Sequence, residues 1–378
     1  MLVGVPKETA IGEKRVSVVP EVISRLKGVS IALEQGAGEA AGFPDAAYSE
    51  KGVSVINTAA LYEQSDIILK VQPPTEAEAR LFKKGATLIS FLDPLTNLDT
   101  VRALVTRQAT VFAMELMPRI SRAQSMDALS SQAIISGYKA VLIAANSLPK
   151  FFPMLMTAAG TIPPARVFVL GAGVAGLQAI AVARRLGAVV EAYDVRPAAK
   201  EQVASLGAKF VELPIEAKDA QTAGGYAKAQ SEEFYRKQQE LLAEHAQASD
   251  IVITTALVPG KQAPILISED AVKGMRFGSV IVDLACEQGG NCVLSEPGRS
   301  VVKYGITIHG PLNLPSTMAP QASQLYSRNI IAFLSTMLKD NTLSIDLKDD
   351  LIRGTLVIHN GEVVHEPTKA AISEGVPK

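Results

Sequence analysis

Gly171-Ala172-Gly173-Val174-Ala175-Gly176 is the segment of this 378-residue chain whose residue types and spacing point most directly to chemistry. It follows a strand-forming run, Arg166 to Leu170, and precedes an amphipathic stretch that begins at Leu177. An acidic residue, Asp194, ends the next strand-like run, AVVEAYD. The three glycines have separate uses: the first permits a tight turn, the second lets the backbone approach a pyrophosphate, and the third lets helix and strand pack closely. Unpaired N–H groups at the start of the helix suit the phosphate charge. The spacing therefore points to a dinucleotide, with Gly171, Ala172, Gly173, Val174 and Gly176 on the pyrophosphate and Asp194, Val195 and Arg196 on the adenosine ribose. A carboxylate at 194 accepts hydrogen bonds from ribose hydroxyls and repels a 2′-phosphate, which favours NAD over NADP. Arg196, two residues on, argues the other way.

A second polar concentration lies in MELMPRISRAQSMDALSSQ, Met114 to Gln132, after the last strand-like run of the N-terminal series. Arg119, Arg122, Gln124, Ser125, Asp127 and Ser130 would gather at the C-terminal mouth of a parallel sheet, where such folds bind ligands. Arginine can grip a phosphate or amide oxygen, and glutamine and aspartate can fix ribose hydroxyls or a carboxamide. The plainer reading is a solvated loop with Asp127 as a helix N-cap. Capping explains Asp127 but not the density of donors around it. A third segment, Pro214 to Gln230, is a long loop between a strand and a helix. Loops of this length in compact α/β units are lids, or are disordered. Gly224-Gly225 would supply a hinge and Tyr226 a flat face for a cofactor; a surface insertion with a chance Gly-Gly pair is the alternative.

The elements that must position these residues read as two series of short β-rich runs alternating with helical patterns. The first comprises Leu2 to Val5, Ile31 to Glu34, Val53 to Ile56, Asp66 to Val71, Thr87 to Leu92 and Val111 to Leu116. The second comprises Arg166 to Leu170, Val189 to Tyr193, Lys209 to Leu213, Asp250 to Thr254 and Ser279 to Leu284. This rhythm predicts an α/β fold of two doubly wound (Rossmann-like) parallel-sheet domains with a nucleotide cleft between them. Residues 1–126 and 311–378 form the expected first, discontinuous domain, because the helical stretch Ser316 to Leu338 has no sheet of its own to cover. Asp127 to Leu148 reads as one bridging helix, and 149–310 as the NAD-binding domain with a mobile loop at 214–230. Asn360-Gly361 between two β-like runs predicts a terminal hairpin.

Composition excludes several classes. The net charge is −1, which gives no electrostatic reason for a nucleic-acid or acidic-membrane partner. Cys286 and Cys292, the two cysteines, indicate neither a disulfide framework nor a zinc site, so no metal is expected. The N-terminus lacks the apolar core of a signal peptide. The most apolar region, Ala140 to Ala159, is interrupted by Asn146, Ser147, Pro149, Lys150 and Pro153, so no segment is expected to reach the ~20 apolar residues that span a bilayer.

VGVPKETAIGEKRVSVVPE at the start, MELMPRISRAQSMDALSSQ in the middle, and TAGGYAK, ITTALVPGKQAP and VDLACEQGGNC further on closely resemble the family shared by alanine dehydrogenase and the NAD(H)-binding part of proton-translocating nicotinamide nucleotide transhydrogenase. The similarity covers almost the whole chain. Alanine dehydrogenases resemble it around Arg15 and Lys70, whose counterparts hold the substrate carboxylate; structural pairing is the alternative for those two. They carry a catalytic histidine in the phrase that here reads FLDPL, where Asp93 stands, and an aspartate in the phrase ACEQGG, where Glu287 stands. Histidine is the natural acid–base for oxidising an amine at neutral pH. The transhydrogenase branch is therefore the expected one, and an alanine dehydrogenase-like amino-acid dehydrogenase the alternative.

The resemblance implies that Arg119, Gln124, Asp127 and Ser130 orient the nicotinamide and its ribose, that Gly225 and Tyr226 close a lid, and that Leu257 lines the cleft. None of the four histidines falls in a candidate motif. Hydride transfer between two nicotinamides requires apposition of the rings and exclusion of water, not a base. The resemblance further implies a homodimer that binds NAD(H), with NADP(H) on a partner chain or domain and proton movement in a separate membrane-spanning subunit. It implies a cytoplasmic location, peripheral on the inner face of the membrane through those partners, without direct insertion.

Overall fold

The computed structural model describes residues 1–213, 231–257 and 262–374. Residue contacts divide the chain into two compact units, Met1–Gln132 with Pro315–Lys378, and Ala133–Leu314.

The first unit is built on six parallel strands: β1 (Leu2–Val5), β2 (Ser30–Glu34), β3 (Ser54–Ile56), β4 (Ile67–Leu69), β5 (Thr87–Ser90) and β6 (Thr110–Ala113). Their spatial order is β6-β5-β4-β1-β2-β3, the doubly wound arrangement, in which the strand order reverses between β1 and β4. Every residue of β4, β5 and β6 is buried, as a sheet covered on both faces requires. The helix Ala319–Met337 covers one face, and its Tyr326, Ile330, Phe333 and Leu334 share a core with Val3, Leu33 and Phe112. Beyond β6 the sheet gains an antiparallel edge from Leu356–His359, which turns back into Glu362–Val363. Asn360 and Gly361 take φ of 49° and 84° at that turn, the left-handed pair that a two-residue hairpin demands.

The second unit carries β7 (Arg166–Leu170), β8 (Val189–Tyr193), β9 (Lys209–Phe210), β10 (Ile251–Thr254), β11 (Val280–Asp283), β12 (Ser300–Lys303) and β13 (Ile306–His309). The order is β9-β8-β7-β10-β11-β13-β12, parallel throughout except for β12. Here the reversal falls between β7 and β10. The helix Val174–Arg185 after β7 buries Ala179, Ile180 and Ala183 against Ala140, Val141 and Ala144.

Several elements differ from expectation for local reasons. The predicted strand Asp66 to Val71 shortens to β4 because the Val71 N–H donates to a Glu8 carboxylate oxygen at 2.6 Å instead of to a neighbouring strand. The predicted Val111 to Leu116 ends at Ala113, where a 3-10 turn, Met114–Leu116, begins. The hairpins Leu155–Thr157/Gly160–Ile162 and Leu338–Lys339/Thr342–Leu343 were not expected, nor was the β12/β13 pair. The unit boundary falls inside the long helix Ala128–Ser147. That helix also corrects the reading of apolar segments: among the described residues it is the one helix long and apolar enough, by length and composition, to cross a membrane. It is also a core element, with Ala140, Val141 and Ala144 fully buried.

Candidate functional site

In the second unit the three glycines of the turn after β7 meet three different surroundings. Gly171 has φ 95°, its N–H donates to the Tyr193 carbonyl, and a Cβ built on it would sit 2.6 Å from Thr255 Oγ1. Gly173 is the N-cap of the helix at φ −75°, and a Cβ there would meet nothing within 4 Å. Gly176 packs so closely that its Cβ would lie 1.8 Å from the Gly171 carbonyl oxygen. Turn, open approach and helix–strand contact are thus distributed over the three glycines as a pyrophosphate site needs. Ala172 is buried, and Val174, 38% exposed, stands at the rim.

Asp194 lies at the end of β8 with its carboxylate already engaged. It accepts the Ala172 N–H at 2.8 Å, the Arg196 N–H at 2.9 Å, and the Arg196 guanidinium through Nε at 2.8 Å and Nη2 at 2.7 Å. The contact to Ala172 ties Asp194 to the glycine turn. Arg196, which in the sequence argued against the preference for NAD, is thus paired with that carboxylate. Val195 is half-buried beside them.

The neighbouring loop after β10 completes this end of the sheet, and its fixing residues were missed from sequence. Thr255 donates from Oγ1 to the Gly171 carbonyl at 3.0 Å. The fully buried Asn291 accepts the Ala256 N–H at 3.0 Å and donates Nδ2 to the Ala256 carbonyl at 2.9 Å and the Pro264 carbonyl at 2.8 Å. Asn291 is itself held by the buried Asp283, which accepts its N–H at 2.9 Å along with those of Ala285 and Cys292 and the Thr254 hydroxyl. Leu257 follows in this loop, 39% exposed. A second missed residue is Gly137 in the long helix: a Cβ on it would lie 2.1 Å from the Ala175 carbonyl oxygen. A glycine inside a helix costs roughly 1 kcal/mol against alanine and so signals close packing. Gly225 and Tyr226 lie outside the described residues, as does the whole expected lid.

In the first unit the polar loop after β6 forms a second 3-10 turn, Ser121–Met126. Ala123 and Met126 are buried, while Arg119, Gln124 and Ser125 are exposed. Asp127 and Ser130 are brought together: Asp127 accepts the Ser130 N–H at 2.8 Å on one carboxylate oxygen and the Ser130 hydroxyl at 2.6 Å on the other. Asp127 is therefore the helix N-cap, as the plainer sequence reading held. Arg122 forms a two-point ion pair with Asp349.

Arg15 and Lys70 are buried, each paired with carboxylates. Arg15 donates to Glu13 through Nε at 2.8 Å and Nη2 at 2.6 Å, and to Gln132 at 3.0 Å. Lys70 lies between Glu78 at 3.2 Å and Glu8 at 3.4 Å. Burial pushes the Glu13 carboxyl up, but the Arg15 guanidinium outweighs it and holds the group at about 2. Asp93 is exposed at φ 45°, its N–H taken by Glu115 and its carboxylate by the Thr96 hydroxyl. Glu287 accepts the Asn313 N–H. The histidines stand elsewhere: His245 pairs with Glu191, His309 lies between the Ser147 and Ser300 hydroxyls, His359 contacts Asn360, and His365 contacts Thr368. Both cysteines are buried and free, and burial together with the Asp283 carboxylate pushes the Cys286 thiol up to about 12. Among the described residues no group of His, Cys, Asp and Glu could hold a metal ion.

Comparisons with known proteins identify the family and the fold. The family profiles "Alanine dehydrogenase/PNT, N-terminal domain" and "Alanine dehydrogenase/PNT, C-terminal domain" match residues 4–136 and 140–366. The chain is 52% identical over 376 residues to an NAD(P) transhydrogenase subunit alpha chain of Rhodospirillum rubrum, covering 97% of this chain and 98% of that one. It is 29% identical over 339 residues to alanine dehydrogenase 2 of Staphylococcus aureus, covering 87% and 85%. The crystal structure of transhydrogenase from Sinorhizobium meliloti superimposes with a TM-score of 0.85 at 44% identity, covering 97% of this chain and all of that one.

Proposed function

The chain belongs to the alanine dehydrogenase/PNT family, and on that premise we propose that it is the NAD(H)-binding alpha component of an NAD(P) transhydrogenase. Hydride passes directly between NADH held here and NADP+ on a partner chain, and a separate membrane subunit couples the transfer to proton movement. The chain works as a homodimer, peripheral on the inner face of the membrane. The pyrophosphate lies on Gly171, Ala172, Gly173, Val174 and Gly176, and the adenosine ribose on Asp194, Val195 and Arg196, with Leu257 beside them. Arg119, Gln124, Asp127 and Ser130 orient the nicotinamide end, and Gly225 and Tyr226 close over the nucleotide.

When bound, the reduced nicotinamide supplies the hydride from its C4 position. The protein's share is to bind, orient and keep water out, and the fit rests on the open approach over Gly173 and the helix start behind it. The observation that favours transfer between nucleotides over amine oxidation is the placement of the histidines. All four have partners outside the candidate set, and Asp93 and Glu287 stand where the alternative reading needs a histidine and an aspartate. Exchange of hydride between two rings leaves no proton for a side chain to move.

The test mixes the full chain with the NADP(H)-binding component of a transhydrogenase and follows NADH-dependent reduction of an NADP analogue. Gln124→Asn should slow transfer at least ~10-fold, an effect of ~1.4 kcal/mol on the barrier, while NADH affinity changes much less. With alanine and NAD the chain should form no pyruvate above background. Robust pyruvate formation would overturn the assignment, and full transfer by Gln124→Asn would remove the polar loop from it.

A further inference from the structure

The 3-10 turn Ser121–Met126 is held at three points, two of them by side chains beyond residue 318. Ala123 and Met126 are buried in the core that contains Tyr326 and Ile330. Asn329 donates its Nδ2 to the Ser125 carbonyl at 2.9 Å. Arg122 places Nη1 at 2.9 Å from Asp349 Oδ2 and Nη2 at 2.6 Å from Asp349 Oδ1. A single bond would fix a distance; two parallel N–H···O bonds fix an orientation as well.

We infer that Asp349 is a positioning residue for hydride transfer: through the Arg122 fork it sets the orientation of the turn that presents Gln124 and leads into Asp127. The inference rests on the proposed role of that turn. Asp349 suits the task because it is itself firmly placed. Its Oδ1 accepts the Leu351 N–H at 2.8 Å as N-cap of the helix Asp350–Thr355, and its own N–H donates to the Asp346 carbonyl at 3.0 Å. Leu351 and Ile352 of that helix are buried in the same core. Gly354 lies against Pro118, where a Cβ would come within 3.2 Å of the proline ring. The helix is thus docked beside the start of the loop, and the fork holds its middle. The Arg122 hydrogen bonds also hold the Asp349 carboxyl below the usual carboxylate range. Because Arg122 is 55% exposed, the pair adds little to global stability. Its effect lies in where the turn points.

Asp349→Asn is the discriminating variant, because asparagine caps a helix about as well as aspartate but cannot accept both arms of the fork. The full chain is mixed with the NADP(H)-binding component, NADH affinity is measured by fluorescence and transfer by single-turnover kinetics. A misplacement near 1 Å can cost ~100-fold in rate, and a loosened turn should cost about 10-fold. Asp349→Asn and Arg122→Gln should each lose about that much with NADH affinity within about twofold of the parent, and the double variant should lose no more than either, because both remove one connection. Transfer by Asp349→Asn within about twofold of the parent would overturn the inference, as would losses that multiply in the double variant. Gln124→Asn separates the two levels: if it is slow while Asp349→Asn is not, the clamp alone fails; if it transfers at full rate, the role of the turn falls and the inference with it.

Discussion

Alanine placed at Gly173 and at Gly176 should separate ligand approach from folding within one hexapeptide. At 173 the backbone, φ −75° and ψ −169°, suits any residue, and the new methyl meets nothing within 4 Å. The only folding cost is a poorer N-cap, a few tenths of a kcal/mol to ~1. The same methyl would stand in the space over the helix start that the proposed pyrophosphate site requires. Displacing that oxygen weakens one or two hydrogen bonds to a charged group, each contributing ~1.5–3 kcal/mol, so NADH affinity should fall ~10- to 100-fold. At 176 the methyl would lie 1.8 Å from the Gly171 carbonyl oxygen and 2.9 Å from its carbon. Both are backbone atoms at the end of β7, so relief requires moving the helix off the sheet by more than ~1 Å. Overpacking of this kind costs ~1–3 kcal/mol or more, and at ~2–4 °C per kcal/mol for a unit of this size the midpoint should fall by roughly 2–12 °C. Calorimetry without ligand reads the folding cost, and NADH fluorescence below both transitions reads binding. Parental NADH affinity in Gly173→Ala would show that the phosphates do not lie on this turn, and a Gly176→Ala variant as stable as the parent would refute the packing argument.

Asp194→Ala should lose NADH affinity and narrow the preference over NADPH, because it removes the carboxylate that faces a 2′-phosphate and releases the Arg196 guanidinium; titration of both nucleotides reads the ratio, and tighter NADPH binding by the unaltered chain would refute the role of Asp194. Glu13→Gln should destabilise the chain by up to ~3 kcal/mol at neutral pH, the equivalent of lowering a carboxyl from 4.5 to about 2. Because the folded value is the depressed one, that difference should be full above pH 4.5 and fade as the pH falls toward 2, and denaturant midpoints of parent and variant that keep the same gap at pH 3 and pH 7 would contradict the Arg15 pairing.

What the sequence revealed depended on how locally each feature was encoded. The first and second strands of the nucleotide unit, Arg166–Leu170 and Val189–Tyr193, occur with their expected bounds; for the first, a buried apolar run between a polar start and a glycine turn leaves little freedom. Asn360-Gly361 announced its hairpin through residues that tolerate positive φ. The β12/β13 hairpin turns through Tyr304 and Gly305 at φ 54° and 78°, and a tyrosine in the left-handed region sends no such signal. Asp340 and Asn341, at 48° and 61°, tolerate the left-handed region as readily, but the helical pattern running up to them hides the turn. The glycine fingerprint was visible because its spacing is its mechanism. Asn291 was not, since its value lies in reaching Ala256 and Pro264, 35 and 27 positions away. Arg122 stood out for its charge, but only the fold brings it to Asp349, 227 positions on.

Asp127 and Asp194 show that a structural reading of an acid and a ligand reading need not compete, and that spare bonding capacity distinguishes the two cases. A carboxylate offers about four lone-pair sites. Asp127 commits two of them to Ser130, one on each oxygen, so the cap locks the side chain at the helix start and still leaves acceptors for a ribose hydroxyl. Serving as N-cap is then the means by which Asp127 would be held ready. Asp194 accepts four bonds already, one from Ala172 and three from Arg196. A ribose diol can reach it only by displacing part of that set, and the guanidinium, unlike the two backbone N–H donors, is carried by a side chain. Nucleotide entry at Asp194 would therefore be an exchange of one set of donors for another, with the released arginine beside the ribose. Its charge would then attract the 2′-phosphate that Asp194 would repel, so the proposed preference for NADH would depend on where the Arg196 guanidinium then stands.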